Sequence, residues 1–439
     1  MGLKVHKDSH PALKSELDIF SLPMTNITME SAHYAKYQPL ATITDSGNID
    51  FLITGNSQHY LDLNHTWLDA TFKIVKGDGS PMNNDKADDP VATLINYAQS
   101  LFSDVEVRFN DKLISNGMDL HPIRAAIENL IFCQSSTKPG WMESAMIYKD
   151  EAGRMNDTDP RSANCNSGLK ERYDLLKKPN NLVKAQLRLH SDAFGLDKLL
   201  LSNVTVKVKL IRSKDAFCLM SPNPDVKFKV KIENATLNVR RVQLSPSVQL
   251  AHEKALATSN AKYHFVKTSI FPVNIPRGVR SVIRDNLIIG NLPRNIIIGF
   301  CSDESLSGSY DKNPFDFKHY DITRIAVSIN GSQVEASAIN FESKDLSEGY
   351  FSLFTGTGIL YQDKTIGITR KDYANGYFLT AFDLTPDFGF SDLAISKKGS
   401  LRVELEFSKP LPENINLLLY ANFDEVLEIT KDRTVVTDF

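Results

Sequence analysis

Cysteine is scarce in this chain: four in 439 residues, at 133, 165, 218 and 301, with no CxxC pair. Residues so widely spaced offer neither a structural zinc site nor a redox dithiol, and the expectation is of buried free thiols in a reducing compartment. Long hydrophobic runs are missing too. No apolar stretch approaches the roughly 18 residues that a membrane-spanning helix needs, so no membrane span is expected. The opening "MGLKVHKDSHPALKSELDIF" lacks the apolar h-region of a secretory signal, and His6 stands where a myristoylation motif places Ser or Thr. Six Asn-x-Ser/Thr sequons (Asn26, Asn64, Asn156, Asn203, Asn234, Asn330) are then read as chance. Basic charge is not concentrated either. With 50 Lys plus Arg against 53 Asp plus Glu, the net charge is −3 and the signs are mixed. No block is available to neutralise phosphates, so no specific nucleic-acid site is expected.

Catalytic patterns are also lacking. There is no Gly-x-Ser-x-Gly elbow, and no cysteine sits in a protease-like context. The stretch "LFTGTGIL" (353–360) has glycines, but "ILYQDKTIGITR" follows, without helical periodicity or a Lys-Ser/Thr pair. A phosphate cradle needs a helix to begin there, so Gly356 and Gly358 read as loop residues. His6 and His10 have i, i+4 spacing but no third ligand nearby, and His59 and His65 flank a strand without an obvious acidic partner. The acids of "DNLIIG" and "NFDEVLEI" (422–429) alternate with apolar residues, as solvent-facing strand positions do. The reading is therefore of no catalytic, cofactor-binding or metal-ligating residues, no cofactor, and no enzyme. A cupin-like enzyme would need a clustered His-x-His with Glu. A carbohydrate- or receptor-binding β-sandwich would need an aromatic platform beside Asp or Asn, and the aromatics here are dispersed.

What the chain does have is period two. "VTVKVKL" (204–210) sets Val204, Val206, Val208 and Leu210 against Thr205, Lys207 and Lys209, and "LRVELEF" (401–407) repeats the alternation. "VKAQLRL" (183–189), "VKFKVKI" (226–232) and "VEVRF" (105–109) do the same. Half-buried antiparallel strands read this way because successive side chains point to opposite faces. "NIIIGF" (295–300) and "INLLLYANF" (415–423) are nearly continuous apolar runs, predicting strands covered on both faces. Asn110-Asp111 and Asn330-Gly331 sit between strand-like runs as hairpin turns. Helices are few: "HPIRAAIENLIFC" (121–133), and "SPSVQLAHEKALA" (245–257) with Ser245 as N-cap and Pro246 in the first turn. Residues 134–182 read as an elaborated surface loop.

One unit is present twice. "LHSDAFGL" (189–196) returns as "LTPDFGF" (384–390), with Leu189 to Leu384 and Asp192 to Asp387 both 195 positions apart. "VEVRFNDKLI" (105–114) matches "IAVSINGSQV" (325–334) at 220, and Val206 aligns with Val403 at 197. The order is the same in both halves, and "SPNPD" (221–225) is the turn-rich connector between them. The fold class is therefore all-β, two tandem eight-stranded jelly rolls with a few short crossover helices. The predicted organisation is an N-terminal arm at 1–20, a first roll at 21–220 and a second at 225–439. Aromatics in turn-rich segments (Tyr34, Tyr37, Phe315, Phe317, Tyr320, Tyr373, Tyr377) either cover the sandwich ends or anchor subunit contacts.

Several stretches carry a family resemblance: "LPMTNITMESAHYAKYQPL" (22–40), "IDFLITGNSQHYLDLNHTWL" (49–68), "LIRSKDAF" (210–217), "LSPSVQLAHEKAL" (244–256), "YDKNPFDFKHYDI" (310–322), "SLFTGTG" (352–358), "DYANGYFLTAFDLTPD" (372–387) and "NFDEVLEITKDR" (422–433). Together they resemble the major capsid protein of Polinton (Maverick) elements and adintovirus-like viruses. The resemblance implies a double jelly-roll subunit that forms homotrimeric capsomers of pseudo-hexagonal outline, tiling an icosahedral shell in the virion. It implies penton and minor capsid proteins as partners, synthesis in the host cytoplasm, and long insertions (134–182 and 335–371) as tower or clasp. A copy of such a gene taken over by a host genome is an alternative origin.

Overall fold

The computed structural model describes residues 6–10, 12, 14–82, 90–115, 117–133, 140–177, 182–223, 225–330, 332–341, 345–362, 364–385 and 397–437. Its principal strands fall into two sets of eight. The first is β1 (Met29–Tyr37), β2 (Ile49–Ile53), β3 (His59–Lys76), β4 (Phe102–Phe109), β5 (Lys112–Ser115), β6 (Val183–Leu187), β7 (Val206–Arg212) and β8 (Phe228–Leu244). They pair as two four-stranded sheets, β1-β8-β3-β6 and β2-β7-β4-β5. The second is β9 (Ala261–Ile275), β10 (Ser281–Asn291), β11 (Asn295–Ser302), β12 (Ile322–Ile329), β13 (Ser332–Asn340), β14 (Leu379–Asp383), β15 (Lys398–Phe407) and β16 (Ile415–Ile429). These pair as β9-β16-β11-β14 and β10-β15-β12-β13, with a short strand Val435–Thr437 added to β16. Adding eight to each strand number of the first set gives the order of the second. The chain is a jelly roll followed by another jelly roll.

Alternation builds each sandwich. In β7, Val206, Val208 and Leu210 are buried while Lys207 is exposed, and in β15 Val403, Leu405 and Phe407 are buried around Glu406. All eight residues of β11 are buried, as are the first eight of β16, so these apolar runs are covered on both faces as predicted.

Register sharpens the duplication. Val107 of β4 lies opposite Val208 of β7, and Val327 of β12 lies opposite Val403 of β15. The 220-residue spacing of β4 and β12 therefore holds, but Val403 is the counterpart of Val208 and not of Val206. The late strands keep the same 195 spacing as Leu189 and Leu384. The slip of two arose because alternating strands match equally well at every even shift. The second half of the corner pair, Asp387 to Phe390, lies outside the described residues.

The hairpins repeat to the level of single hydrogen bonds. Asn110 and Asn330 both take a left-handed conformation, with φ of 44° and 51°. Asn110 donates its N–H to the Thr205 carbonyl at 2.9 Å and accepts the Thr205 N–H on Oδ1 at 2.8 Å. Asn330 does the same with Ser400, at 3.0 and 2.9 Å. Thr205 and Ser400 are again 195 apart.

The connector at 221–225 is not the junction between the rolls. The strand that follows it, β8, runs back between β1 and β3 and completes the first roll's outer sheet. A jelly roll's last strand pairs beside its first, so the turn-rich segment falls one strand before the roll ends. The link between rolls is instead the helix Pro246–Leu256, which leads directly into β9. Ser245 precedes it with extended backbone, its hydroxyl on Ser247 Oγ at 3.2 Å and not on a helix N–H.

Each hairpin Asn combines a backbone conformation that costs a Cβ-bearing residue about 1–2 kcal/mol with a hydrogen bond worth about 1 kcal/mol. Asn110→Ala and Asn330→Ala are each expected to lower unfolding free energy by about 1–2 kcal/mol in urea titrations. The double variant should lose the sum, because the sites are far apart.

Candidate functional site

The first roll meets the second along a seam built from α1 (His121–Ile131) and the corner at 189–196. Pro122 fits the first helical turn, where its missing N–H has no partner to lose. Ile123, Ile127, Leu130 and Ile131 recur at helical spacing and are buried, in one core with Ile270, Ile297 and Tyr420 of the second roll. In return Tyr263, Phe265, Leu427 and Ile429 of the second roll belong to the core of the first. Each roll thus lends side chains to the other.

Buried charge pins this contact. Arg124 of α1 has 7% side-chain exposure and reaches Asp192 Oδ1 at 2.7 Å and Glu128 Oε1 at 2.7 Å. Asp192, in the middle of "LHSDAFGL", also accepts the backbone N–H of Thr268 from β9 at 3.1 Å. Glu128 takes the Tyr420 hydroxyl from β16 at 3.2 Å, and His190 Nδ1 lies 2.6 Å from its other oxygen. Burial alone pushes the Glu128 carboxyl up, but the Arg124 charge and the His190 hydrogen bond outweigh it and hold it well below the ordinary carboxylate range. For Asp192 burial wins over Arg124 and the pKa is raised. His121, at the start of α1 with Nε2 2.9 Å from Gln99 Oε1, is pushed down to about 3, first by burial and then by the charges of His190 and Arg124. A groove of about 580 Å³ opens over this cluster, lined among others by Trp141, His264 and Val266.

A second anchor comes from the 134–182 segment, which is not a surface loop over its described part, 140–177. It contains α2 (Ser167–Leu176), with Asn166 as N-cap accepting the Gly168 N–H at 3.1 Å. Arg172 of α2, 1% exposed, donates to the Thr93 carbonyl at 2.7 Å, the Tyr148 carbonyl at 2.6 Å and Asp150 Oδ1 at 2.7 Å. Asp150 then accepts from Asn313 at 3.1 Å, and its carbonyl from Tyr377 at 2.8 Å, both in the second roll. The segment is a wedge between the rolls. Its polar residues satisfy one another inside, which is why a polar composition suggested exposure. The 335–371 insertion likewise opens on β13 and contains a helix, α3 (Ser347–Thr355).

The remaining residues singled out in the sequence lie apart from the seam or have structural partners. Gly356 and Gly358 stand at the C-terminal end of α3, the electronegative end of a helix dipole, which disfavours phosphate. A Cβ on Gly356 would lie 2.5 Å from Ala381. His65 does have an acidic partner, Asp62 at 2.9 Å, while His59 lies edge-on to the His33 ring. Asp424 and Glu425 are not solvent-facing: Asp424 has 10% exposure and pairs with Arg294 at 3.0 Å and His264 at 3.2 Å. Phe315, Phe317, Tyr373 and Tyr377 are core residues of the second roll, Tyr320 is half-buried, Tyr37 packs against the first core, and Tyr34 is exposed. Cys218 and Cys301 are buried free thiols, the first pushed up to about 12 by burial, and Cys133 and Cys165 are half-buried. Among the described residues no group of three or more His, Cys, Asp or Glu is placed to hold a metal ion, and no helix is long and apolar enough to cross a membrane. The sequence did not point to the seam residues, although Arg124 and Glu128, spaced i, i+4 within an apolar helix, were a signal for a buried pair.

No family model matches the chain. An uncharacterized protein of Caenorhabditis elegans is 22% identical over 440 residues, spanning 95% of this chain and 99% of that one. Among solved structures, a chain of the Sputnik virophage matches with a TM-score of 0.64 at 11% identity, covering 98% of this chain and 93% of its own. The major capsid protein of Faustovirus matches at 0.56 and 8% identity, over 94% and 92%. The PBCV-1 virus capsid matches at 0.54 and 9%, over 96% and 99%. At such identities the likeness is one of fold, and the fold is that of double jelly-roll capsid proteins.

Removing one partner of a buried pair strands the other charge, at a cost of about 3–5 kcal/mol. Arg124→Ala should therefore destabilise by that amount in thermal or chemical unfolding, and Arg124→Met with Asp192→Asn should recover part of it. For His121 the sign is set by a folded pKa below the unfolded one. Below pH 6.5 the unfolded chain takes up a proton that the folded chain refuses, so stability present above that pH is lost as pH falls toward 3. The loss reaches up to about 5 kcal/mol, and His121→Gln should flatten the wild-type melting curve against pH in that window.

Proposed function

We propose that this chain is a major capsid protein of the Polinton/Maverick and adintovirus-like kind, acting by self-assembly without catalysis. The observation that carries the reading is the pair of rolls with one strand order, locked side by side by the seam. Two similar rolls per subunit let three subunits make a six-roll ring, which fits a hexagonal lattice, while differing insertions distinguish its neighbours. The capsomer is then a homotrimer of pseudo-hexagonal outline, and capsomers tile an icosahedral shell whose vertices and seams are filled by penton and minor capsid proteins. The protein is made in the host cytoplasm and resides in the virion.

The N-terminal arm, residues 1–20 with the stretch up to β1, supports this reading. Phe20, Leu22 and Met24 are 95%, 92% and 102% exposed. Apolar side chains so completely open to water are a cost to a lone subunit and a gain once a neighbour or the shell interior covers them.

Size-exclusion chromatography with light scattering of the full chain is expected to give a trimer of about three times 49.1 kDa. Negative-stain images should show particles of six-lobed outline. A chain that stays monomeric at micromolar concentration would overturn the reading.

A further inference from the structure

The contact between the two rolls of one chain is head-to-tail. The first roll presents α1 and its corner; the second receives them on the outer face of β9-β16-β11-β14, at Thr268 and Tyr420. That contact leaves two surfaces over: the outer face of the first roll's matching sheet, β1-β8-β3-β6, and the α3 side of the second roll. Since the rolls are copies, these leftovers are a second pair of the same kind.

Register says where on the first roll the contact falls. Leu187, Leu68, Leu237 and Tyr37 lie side by side across the first sheet, as Phe382, Ile296, Ala421 and Ser269 do across the second. Leu187 and Phe382 are 195 apart, the spacing of the corner and the late strands. One residue along, Lys36 and Asn238 take the places of Thr268 and Asn422. This face is furnished for a partner. Tyr34 is 47% exposed and sits edge-on to Trp67 with ring centroids 4.5 Å apart. Lys36 is exposed, while Arg240, across from Tyr34 on β8 and half-buried, is already paired with Asp62 at 2.5 Å. An exposed aromatic pair beside the open charge of Lys36 is the composition of a protein interface.

The α3 side of the second roll offers the complement. α3 follows β13 as α1 follows β5. Glu348 is exposed at its start, and Phe351, 53% exposed, lies one turn on along the same helix face. An acid and an aromatic here are the chemical complement of Lys36 and the aromatic pair there.

We infer that the outer face of β1-β8-β3-β6, centred on Tyr34, Lys36 and Trp67, is the docking surface for the α3 side of a second copy of this chain. The inference rests on the homotrimer reading above and names the surface through which it closes. The contact is heterologous, so repetition with closure gives a ring.

Charge reversal and truncation test it on the full chain, read by light scattering and by sedimentation across a concentration series. Trp67→Ala with Tyr34→Ala removes an interface aromatic anchor, worth about 2 kcal/mol or more, and should weaken association at least about 30-fold. Lys36→Glu alone, on an exposed side chain that leaves the core untouched, should shift the trimer toward monomer, as should Glu348→Lys. Combining Lys36→Glu and Glu348→Lys in one chain should restore the trimer. Circular dichroism melts confirm that each variant folds. A wild-type chain that is monomeric overturns the homotrimer itself. A wild-type trimer that Lys36→Glu and the aromatic double variant leave intact overturns the docking surface and leaves the homotrimer standing.

Discussion

Arg124 is the residue on which the two halves of the molecule depend. It is a guanidinium held out of water between two carboxylates, one on its own helix and one on the corner after β6. Both carboxylates also take hydrogen bonds from the second roll, through Thr268 and Tyr420. Apolar packing along Ile123, Ile127 and Leu130 supplies most of the seam's attraction, since it is roughly proportional to area removed from water. Such packing is non-directional, however, and would tolerate a sliding contact. The charged cluster is satisfied in one register only, which gives the seam its specificity.

Much of the fold is legible in the sequence. Val204 to Leu210 and Leu401 to Phe407 show their alternation directly, and Asn110 and Asn330 mark hairpins because few other residues accept a left-handed backbone cheaply. The junction between rolls is not legible. Turn formers at 221–225 mark where the chain leaves one sheet, and only the pairing of β8 with β1 and β3 shows that the roll is not yet complete. The seam was hidden for a related reason. Asp192, Arg172 and Asp150 are polar, and one sequence read alone places polar residues outside. Their burial depends on partners 68, 79 or 163 positions away, at Arg124, Thr93 and Asn313.

The same logic assigns structural partners to side chains that look suggestive one at a time. His190 beside Glu128, His264 beside Asp424 and His65 beside Asp62 are pairings an active site would use. Here their partners are other structural groups: Glu128 is taken by Arg124 and Tyr420, Asp424 by Arg294, and Asp62 by Arg240. Acceptors already occupied by cations of the same chain hold elements together, and hold them all the more firmly for being away from water.

The helix Pro246–Leu256, which ties the end of β8 to the start of β9, has a kinetic meaning. Because the two rolls share a chain, their mutual contact forms at the effective concentration set by a short tether, on the order of millimolar, however dilute the protein. In an assembly of such units every second roll-to-roll contact is then made before any two molecules meet. Contacts between separate molecules would, by contrast, respond to protein concentration, so in such an assembly the supply of subunits would govern when larger structures form.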